Sequence, residues 1–479
     1  MLRYSREEII SNIRHIENFA KRDCFEDIKD FCLGRPQKKV EIIYGLLGTG
    51  KTCLMFQVIE KLGVDQCAYI KCEFGDEMSD IYDELDEISQ NENNIQYIFI
   101  DEITSIYDYI EYSAPLANKY SLTFKIVLSG SYSLAHIFAK DDSLYDRTRT
   151  VKTTYIPYYE HRRVLNDEDI SSYIRTGGLM HEEILDNDYP FIDIENIESY
   201  TDMAIANNIV YTLEQYDDGT RLLEELKRKG ELAEVINKIV NIYSYTANIE
   251  DKKTMYENNA NILNKYFVTK ITDKVIIQIT NYIEKLDLLH RLKLNIIDDS
   301  DPNHVHSIYG ENFYITQPGM RYGQSKVLSN FLINSDKFKK DVPDFYDREK
   351  FLKCAEYFNL ETILKDIVYA DCEYVLNNQK YDVFRIKYMT GGEFDLAIHI
   401  KEQDCLDIFA ISYSPVIDED QTRWLNDKNK ISVLEKCFLP VRNKCVLYQG
   451  QDSQAFGAKY KNVTQFLSKI ADEPYEKVI

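Results

Sequence analysis

Ile9, Ile13, Ile16 and Phe19 recur at the spacing of one helix face, so the first 38 residues read as helical. Gly34-Arg35-Pro36 breaks that pattern. Residues 40–44 are short, rich in β-branched side chains and followed by glycine, which predicts a buried strand. From there to about residue 165, apolar runs at 68–72, 97–100 and 125–128 alternate with amphipathic stretches. That alternation predicts an α/β fold, a parallel sheet with helices on both faces. Residues 166–250 keep helical periodicity without a strand-like run. Next, a helical stretch at 273–289 precedes two strand candidates, 291–297 and 311–316, the order of a winged helix. A helix at 347–370 and strands near 381–388, 393–400 and 406–413 predict a further α/β unit. The expected domains are therefore 1–165, 166–250, 251–335 and 345–479.

The strongest chemistry lies where the first strand gives way to a helix. Gly45-Leu46-Leu47-Gly48-Thr49-Gly50-Lys51-Thr52 satisfies G-x-x-x-x-G-K-[ST] in full, between the strand at 40–44 and a helix at 52–62. Glycines let backbone N–H groups curl around phosphates, and the helix N-terminus adds partial positive charge. Lys51 is placed to reach the β- and γ-phosphates of ATP and the Thr52 hydroxyl to ligate Mg²⁺. The candidate nucleotide-binding set runs from Gly45 through Thr52 to Cys53.

Downstream, the apolar run 97–100 ends in Asp101-Glu102. An acid at the end of a buried strand can hold the Mg²⁺ shell, which suits Asp101, and Glu102 can then polarise the attacking water. The next strand ends at Ser129, whose hydroxyl suits either contact with the γ-phosphate and lytic water or a helix cap. Arg147 and Arg149 follow in a polar stretch, and a guanidinium there can stabilise a transferring phosphoryl group. Together these residues predict hydrolysis of ATP to ADP and phosphate.

Charge and composition narrow the partners. With 57 basic and 80 acidic residues, the formal charge of −23 disfavours coating nucleic acid by bulk electrostatics. No apolar run approaches the roughly 18 residues of a membrane span, and the charged, helical start has no apolar signal core. A cytoplasmic chain with no membrane partner is expected. The ten cysteines form no CxxC pair and read as reduced thiols. His304 and His306 are a close pair without a nearby third ligand.

These motifs resemble the archaeal and bacterial AAA+-type ATPases, related to the STAND class, that carry a restriction-endonuclease-like C-terminal core. Asp101-Glu102-Ile103-Thr104 is similar to the group's D-E-I-q, and Leu128-Ser129-Gly130-Ser131 to its l-T-G-S. Ser143-Leu144-Tyr145-Asp146-Arg147 resembles its s-L-a-G-R, which implies that Arg147 is the arginine finger, with Asp146 in place of the usual glycine. Tyr155-Ile156-Pro157-Tyr158-Tyr159-Glu160 resembles the L-x-P-L-s-f-x-E that follows, and Tyr173-Ile174-Arg175-Thr176-Gly177-Gly178 is similar to the y-l-x-x-G-G that opens the helical segment. Residues 312–321 resemble the winged-helix strand, with Gln317 for the usual Asp. Glu393-Phe394-Asp395 is similar to the start of the nuclease-like sheet.

The resemblance implies a P-loop ATPase core, a helical lid, a winged helix and a PD-(D/E)XK-like domain. That last site needs an acid and then E-x-K on the next strand, to bind Mg²⁺ and assist the nucleophile. Asp395 supplies the first acid and Glu361 an auxiliary one, but Ala410 and Ser412 stand where Glu and Lys should be, and Lys401 lies in a turn. An inactive nuclease core is expected. The leading functional reading is an ATP-driven switch acting with a second copy or a partner protein, and defence against mobile elements or signalling is a setting the group suggests. A DNA-binding regulator using Lys270, Lys274 or Lys285 of the winged helix is the alternative, opposed by Asp273, Glu284 and Asp287 beside them. An ATP-gated nuclease is the third.

Overall fold

The computed structural model describes residues 2–130, 148–180, 194–206, 209, 219–245 and 260–479, apart from 36, 38, 74, 107, 108, 154, 262, 265, 266, 268, 302, 303 and 378. Its first part is an α/β unit: β1 (Leu2–Arg3), α1 (Arg6–His15), α2 (Phe25–Leu33), β2 (Val40–Gly45), α3 (Lys51–Leu62), β3 (Cys67–Lys71), α4 (Met78–Asn91), β4 (Tyr97–Asp101), α5 (Tyr109–Tyr120), β5 (Lys125–Gly130) and β6 (Thr148–Thr153). The strands form one sheet in the order β1-β3-β4-β5-β2-β6, parallel except for β1.

Adjacent residues of these strands feed opposite cores. Ile42, Ile70, Ile98 and Leu128 pack with Ile81, Leu85 and Leu116 of α4 and α5. Ile43, Tyr69, Phe99 and Val127 pack with Ile9, Ile28, Leu54 and Val58 of α1, α2 and α3. A strand covered on both faces reads as a continuous apolar run, which is why four of these strands are visible in the sequence. The edge strand β6, Thr-Arg-Thr-Val-Lys-Thr, carries one buried apolar residue, Val151, and leaves no such run.

Short helices α6 (Tyr158–Val164) and α7 (Ile170–Thr176) follow, then α8 (Ile194–Thr201) with a π-helical turn at Asp202–Ala206, α9 (Gly219–Arg228) and α10 (Leu232–Tyr245). The apolar faces of α8–α10 share a core with α11 (Asp273–Lys285), with Leu46 of the glycine-rich loop and with Leu179 just after α7, while Tyr158 of α6 and Ile170, Tyr173 and Ile174 of α7 join the core under the C-terminal sheet.

The expected hairpin is present as β7 (Leu289–Asp298) and β8 (His306–Ile315), but it does not stand alone. After α12 (Pro318–Asn334), α13 (Asp336–Asp341) and the long α14 (Phe345–Leu376), β9 (Tyr381–Tyr388) pairs in parallel with β7. The chain continues through β10 (Glu393–Ile400), β11 (Cys405–Ile411), α15 (Lys428–Cys437), β12 (Val441–Tyr448), β13 (Ser453–Ala455), β14 (Ala458–Asn462), α16 (Val463–Asp472) and α17 (Tyr475–Val478). One eight-stranded sheet results, in the order β13-β14-β12-β11-β10-β9-β7-β8. Leu292, Leu294 and Ile296 of β7 bury against Ile363, Ile367 and Val368 of α14, so the hairpin is held by the same core as β9–β11. No helix among the described residues is long and apolar enough to cross a membrane.

Candidate functional site

Between β2 and α3 the chain bends through the glycine-rich loop. Gly50 takes φ 84°, which L side chains rarely adopt, and a Cβ there would meet Met180 Sδ at 2.4 Å. Gly45 is needed for a different reason: a Cβ would lie 2.0 Å from Thr153 O on the neighbouring β6.

Three consecutive carbonyls of this loop are bonded to donors from outside it. Leu47 O accepts from Tyr200 OH at 3.3 Å, Gly48 O from Met180 N–H at 2.7 Å and Thr49 O from Arg22 Nη1 at 2.8 Å. In a trans peptide the following N–H points opposite to its C=O. Tying these carbonyls outward turns the N–H groups of Gly48, Thr49 and Gly50 toward the concave side, a cradle for anionic oxygen. Thr49 Oγ1 closes the loop on itself by donating to Leu46 O at 2.8 Å. Lys51 Nζ, buried, donates to Leu46 O at 3.1 Å and to Gly45 O at 3.4 Å.

The acids meet the loop across β5, which separates β4 from β2. Asp101 is 1% exposed. Its carboxylate accepts from Thr52 Oγ1 at 2.6 Å, from Tyr69 OH at 2.6 Å and from the Ser129 hydroxyl. Hydroxyl and carboxylate side by side are hard oxygen donors of the kind Mg²⁺ takes, so Thr52 and Asp101 could hold that ion. Glu102 adopts φ 55°, left-handed for a non-glycine residue, and this strained turn is fixed by its N–H, shared between Asp101 Oδ1 at 3.1 Å and Ser129 Oγ at 3.0 Å. The bend aims the Glu102 side chain at the loop, with its carboxylate 3.9 Å from Lys51 Nζ. Desolvation raises the pKa of Glu102 above its ordinary value, while Lys51 opposes the shift.

A cavity of about 420 Å³ opens above these groups, lined by Leu47, Gly48, Gly50, Lys51, Thr52, Cys53 and Glu102, with Met180 and the end of α1 as its walls. Gly45, Leu46 and Thr49 form the backbone beneath it and are buried. Ser129, expected to touch phosphate or water, is wholly buried behind the two acids, its hydroxyl bonded to both. That geometry makes it a residue that positions Glu102. Arg147 lies outside the described residues. Arg149 sits at the far end of the sheet, opposite Glu41 in register, where it pairs with Glu41 at 3.6 Å and Asp27 at 3.4 Å.

Sequence reasoning missed Tyr69, Arg22, Met180 and Tyr200. Tyr69 leaves one trace: a tyrosine in a buried strand requires a partner for its hydroxyl. The other three have no local signature.

A second polar cluster lies on the C-terminal sheet. Lys365 Nζ of α14 stands 2.7 Å from Asp395, 3.5 Å from Glu393 and 3.8 Å from Glu361. Asp395 Oδ2 also accepts from Ile411 N–H at 2.7 Å, and Ala410 and Ser412 line the same cavity of about 310 Å³. Lys401 follows β10 at the end opposite Asp395. His304 bonds to Asp301, and among the described residues no group of three or more His, Cys, Asp or Glu is arranged to hold a metal.

Among known proteins, an uncharacterized protein of Methanocaldococcus jannaschii is 27% identical over 254 residues, which cover 51% of this chain and 54% of the relative. The match thus spans about half the relative's length. Among solved structures, the Aeropyrum pernix ORC1 protein in complex with DNA overlaps 71% of this chain and 98% of its own, at 10% identity and TM-score 0.26. Thermotoga maritima RuvB overlaps 60% of this chain and 89% of its own, at 13% identity and TM-score 0.28. Likenesses of that size extend no activity to this chain. Residues 37–160 match the model of a family described as an AAA domain, and Gly45 to Cys53, Asp101, Glu102 and Ser129 fall inside that segment, while Arg22, Met180 and Tyr200 lie outside it.

Proposed function

We propose that this chain binds ATP with Mg²⁺, hydrolyses it to ADP and phosphate, and uses the difference between the two states as a switch. The observation that carries the reading is the joining of two separate segments, the glycine-rich loop and the end of β4, at one cavity. Thr52 stands 2.6 Å from Asp101, and Glu102 is turned to within 3.9 Å of Lys51 over the glycine-rich loop. In this reading the N–H groups of Gly48, Thr49 and Gly50, with those of Lys51, Thr52 and Cys53 at the start of α3, hold the phosphate oxygens. Lys51 exchanges the carbonyls of Gly45 and Leu46 for the β- and γ-phosphates. Thr52 and Asp101 would hold Mg²⁺, which would supply charge neutralisation to the phosphates. Glu102 orients the attacking water and accepts its proton. Ser129 keeps Glu102 in its left-handed turn, and Arg147 is assigned the arginine finger by resemblance.

In the same reading, α8–α10 form the lid over the loop, α11 with β7–β8 the winged helix, and β9–β12 with α14 the nuclease-like core. That core is read as inactive: a lysine ammonium neutralises Asp395 and Glu361, where a metal would have to bind, and Ala410 and Ser412 stand on the strand positions where the acid and base of such a site should be. The acidic end of β7, Asp298-Asp299, argues against use of the hairpin on DNA. A second copy or another protein is the proposed partner.

Calorimetric titration tests the nucleotide reading. Wild type is expected to bind ATP with Mg²⁺, and Lys51→Ala to lose that binding. A Lys51→Ala protein with unchanged ATP affinity would overturn the reading.

A further inference from the structure

Helix α6 lies between Arg22, which bonds the glycine-rich loop, and the helices α14 and α16 that pack on the C-terminal sheet. On the loop side, Glu160 and Arg22 are 3% and 5% exposed and form a two-pronged pair, with Nη2 to Oε2 at 2.8 Å and Nε to Oε1 at 3.1 Å. The same guanidinium donates Nη1 to Thr49 O at 2.8 Å. The segment around Arg22 is bound to α6 at further points: Ala20 N–H to Val164 O at 3.1 Å, Asp23 N–H to Glu160 Oε1 at 2.8 Å, and Tyr159 OH to Asp23 at 2.6 Å.

On the other side, α6 begins after Pro157, which offers no side-chain cap. The first N–H groups of a helix need acceptors, and here they come from another part of the chain. Asp371 of α14, 1% exposed, accepts from Tyr158 N–H at 3.2 Å and from Tyr159 N–H at 3.0 Å. The Tyr159 ring stacks on Tyr374 with centroids 5.3 Å apart, and Arg162 reaches Ser468 O at 3.3 Å and Asp472 at 3.0 Å on α16.

We propose that α6 is a strut through which the phosphate loop and the C-terminal sheet sense each other, with Arg22 and Glu160 as positioning residues at one end and Asp371 at the other. The proposal rests on the nucleotide-binding reading. A guanidinium fastened to Thr49 O fixes the peptide that aims the Gly50 N–H into the cavity. The guanidinium is fixed in turn by a carboxylate on a seven-residue helix, too short to hold its own position without outside contacts. Asp371 is the acceptor that completes its first turn. Linkage then requires reciprocity: whatever shifts α14 changes nucleotide affinity, and nucleotide changes how firmly α14 is held.

The test uses the full chain, titrated with a fluorescent ATP analogue in Mg²⁺, with thermal melting in parallel. Absence of binding by wild type would sink the nucleotide reading and leave the strut with nothing to transmit. With wild type binding, Asp371→Asn and the milder Tyr159→Phe are expected to weaken affinity by roughly 2- to 30-fold, the range of measured long-range couplings. Asp299→Asn is the control: it breaks the pair with Lys430 and Thr390 in the same sheet, away from α6. It should lower the melting temperature and leave affinity unchanged. Because both act through one strut, Arg22→Lys combined with Asp371→Asn should weaken affinity by less than the product of the two single effects. Wild-type affinity in both Asp371→Asn and Tyr159→Phe, equal weakening by Asp299→Asn, or a full multiplicative product would each overturn the strut.

Discussion

Asp101 and Glu102 are neighbours in sequence, yet the backbone sends their carboxylates to different work. Asp101 ends β4 inside a ring of donors, Thr52, Tyr69 and Ser129, that leaves it fixed and buried. Glu102, one residue on, enters the left-handed region and faces Lys51 across the cavity. Replacing Glu102 with Gln keeps the shape and removes the proposed base, so ATP should still bind while phosphate release falls about 10²-fold or more. Ser129→Ala should also slow phosphate release with binding kept, because the Glu102 N–H then loses one of its two acceptors. A Glu102→Gln enzyme that turns over at the wild-type rate would remove Glu102 from the chemistry.

At the scale of the element, β2 carries a cost that its apolar pattern hides. Glu41 is fully buried in this strand, and neither carboxylate oxygen has a hydrogen-bond partner. Burial pushes its carboxyl up to about 7, with Arg149 opposing the shift. The folded protein therefore keeps this proton at pH values where the unfolded chain has lost it. The resulting contribution is fully present below the ordinary glutamate range near 4.5 and is lost as pH rises through about 7. Denaturant unfolding at pH 5 and pH 8 should show Glu41→Gln gaining on wild type at the higher pH, by on the order of 2 kcal/mol. Equal differences from wild type at both pH values would show that Glu41 is charged throughout.

For the whole molecule, the placement of β7 matters most. By pairing in parallel with β9 it makes the hairpin part of the C-terminal sheet, so α11 and the hairpin cannot swing as a separate unit without breaking that ladder. If the chain works as the proposed switch, its mobile readout has to be sought elsewhere, in the segments that bond the loop through Met180 and Tyr200 or between copies of the chain. If Arg147 acts on nucleotide held by a neighbouring copy, ATP turnover per molecule should rise with protein concentration. Arg147→Ala should then cut it by about 10³-fold while ATP affinity is kept. Constant specific activity across a wide dilution series would argue for a monomeric enzyme.

The glycine-rich loop, the strand ending in Asp101-Glu102 and the parallel α/β pattern were legible from residue order because each is a local demand. A loop that must present N–H groups needs glycine at set intervals, and a strand covered on both faces must be apolar throughout. Strand β6 escaped because an edge strand of threonines and basic residues, with Val151 as its one buried apolar side chain, meets no such demand. What the tertiary structure alone decided are the contacts between distant segments. Arg22 lies 27 residues before the carbonyl it fastens, and Asp371 lies 213 residues after the helix it caps. Lys365, which helix spacing alone sets beside Glu361, also meets Glu393 and Asp395 because α14 lies across the sheet at that level. Spacing along a chain fixes which residues share a face of one element. Which residues then meet depends on how the elements pack, and no local pattern records it.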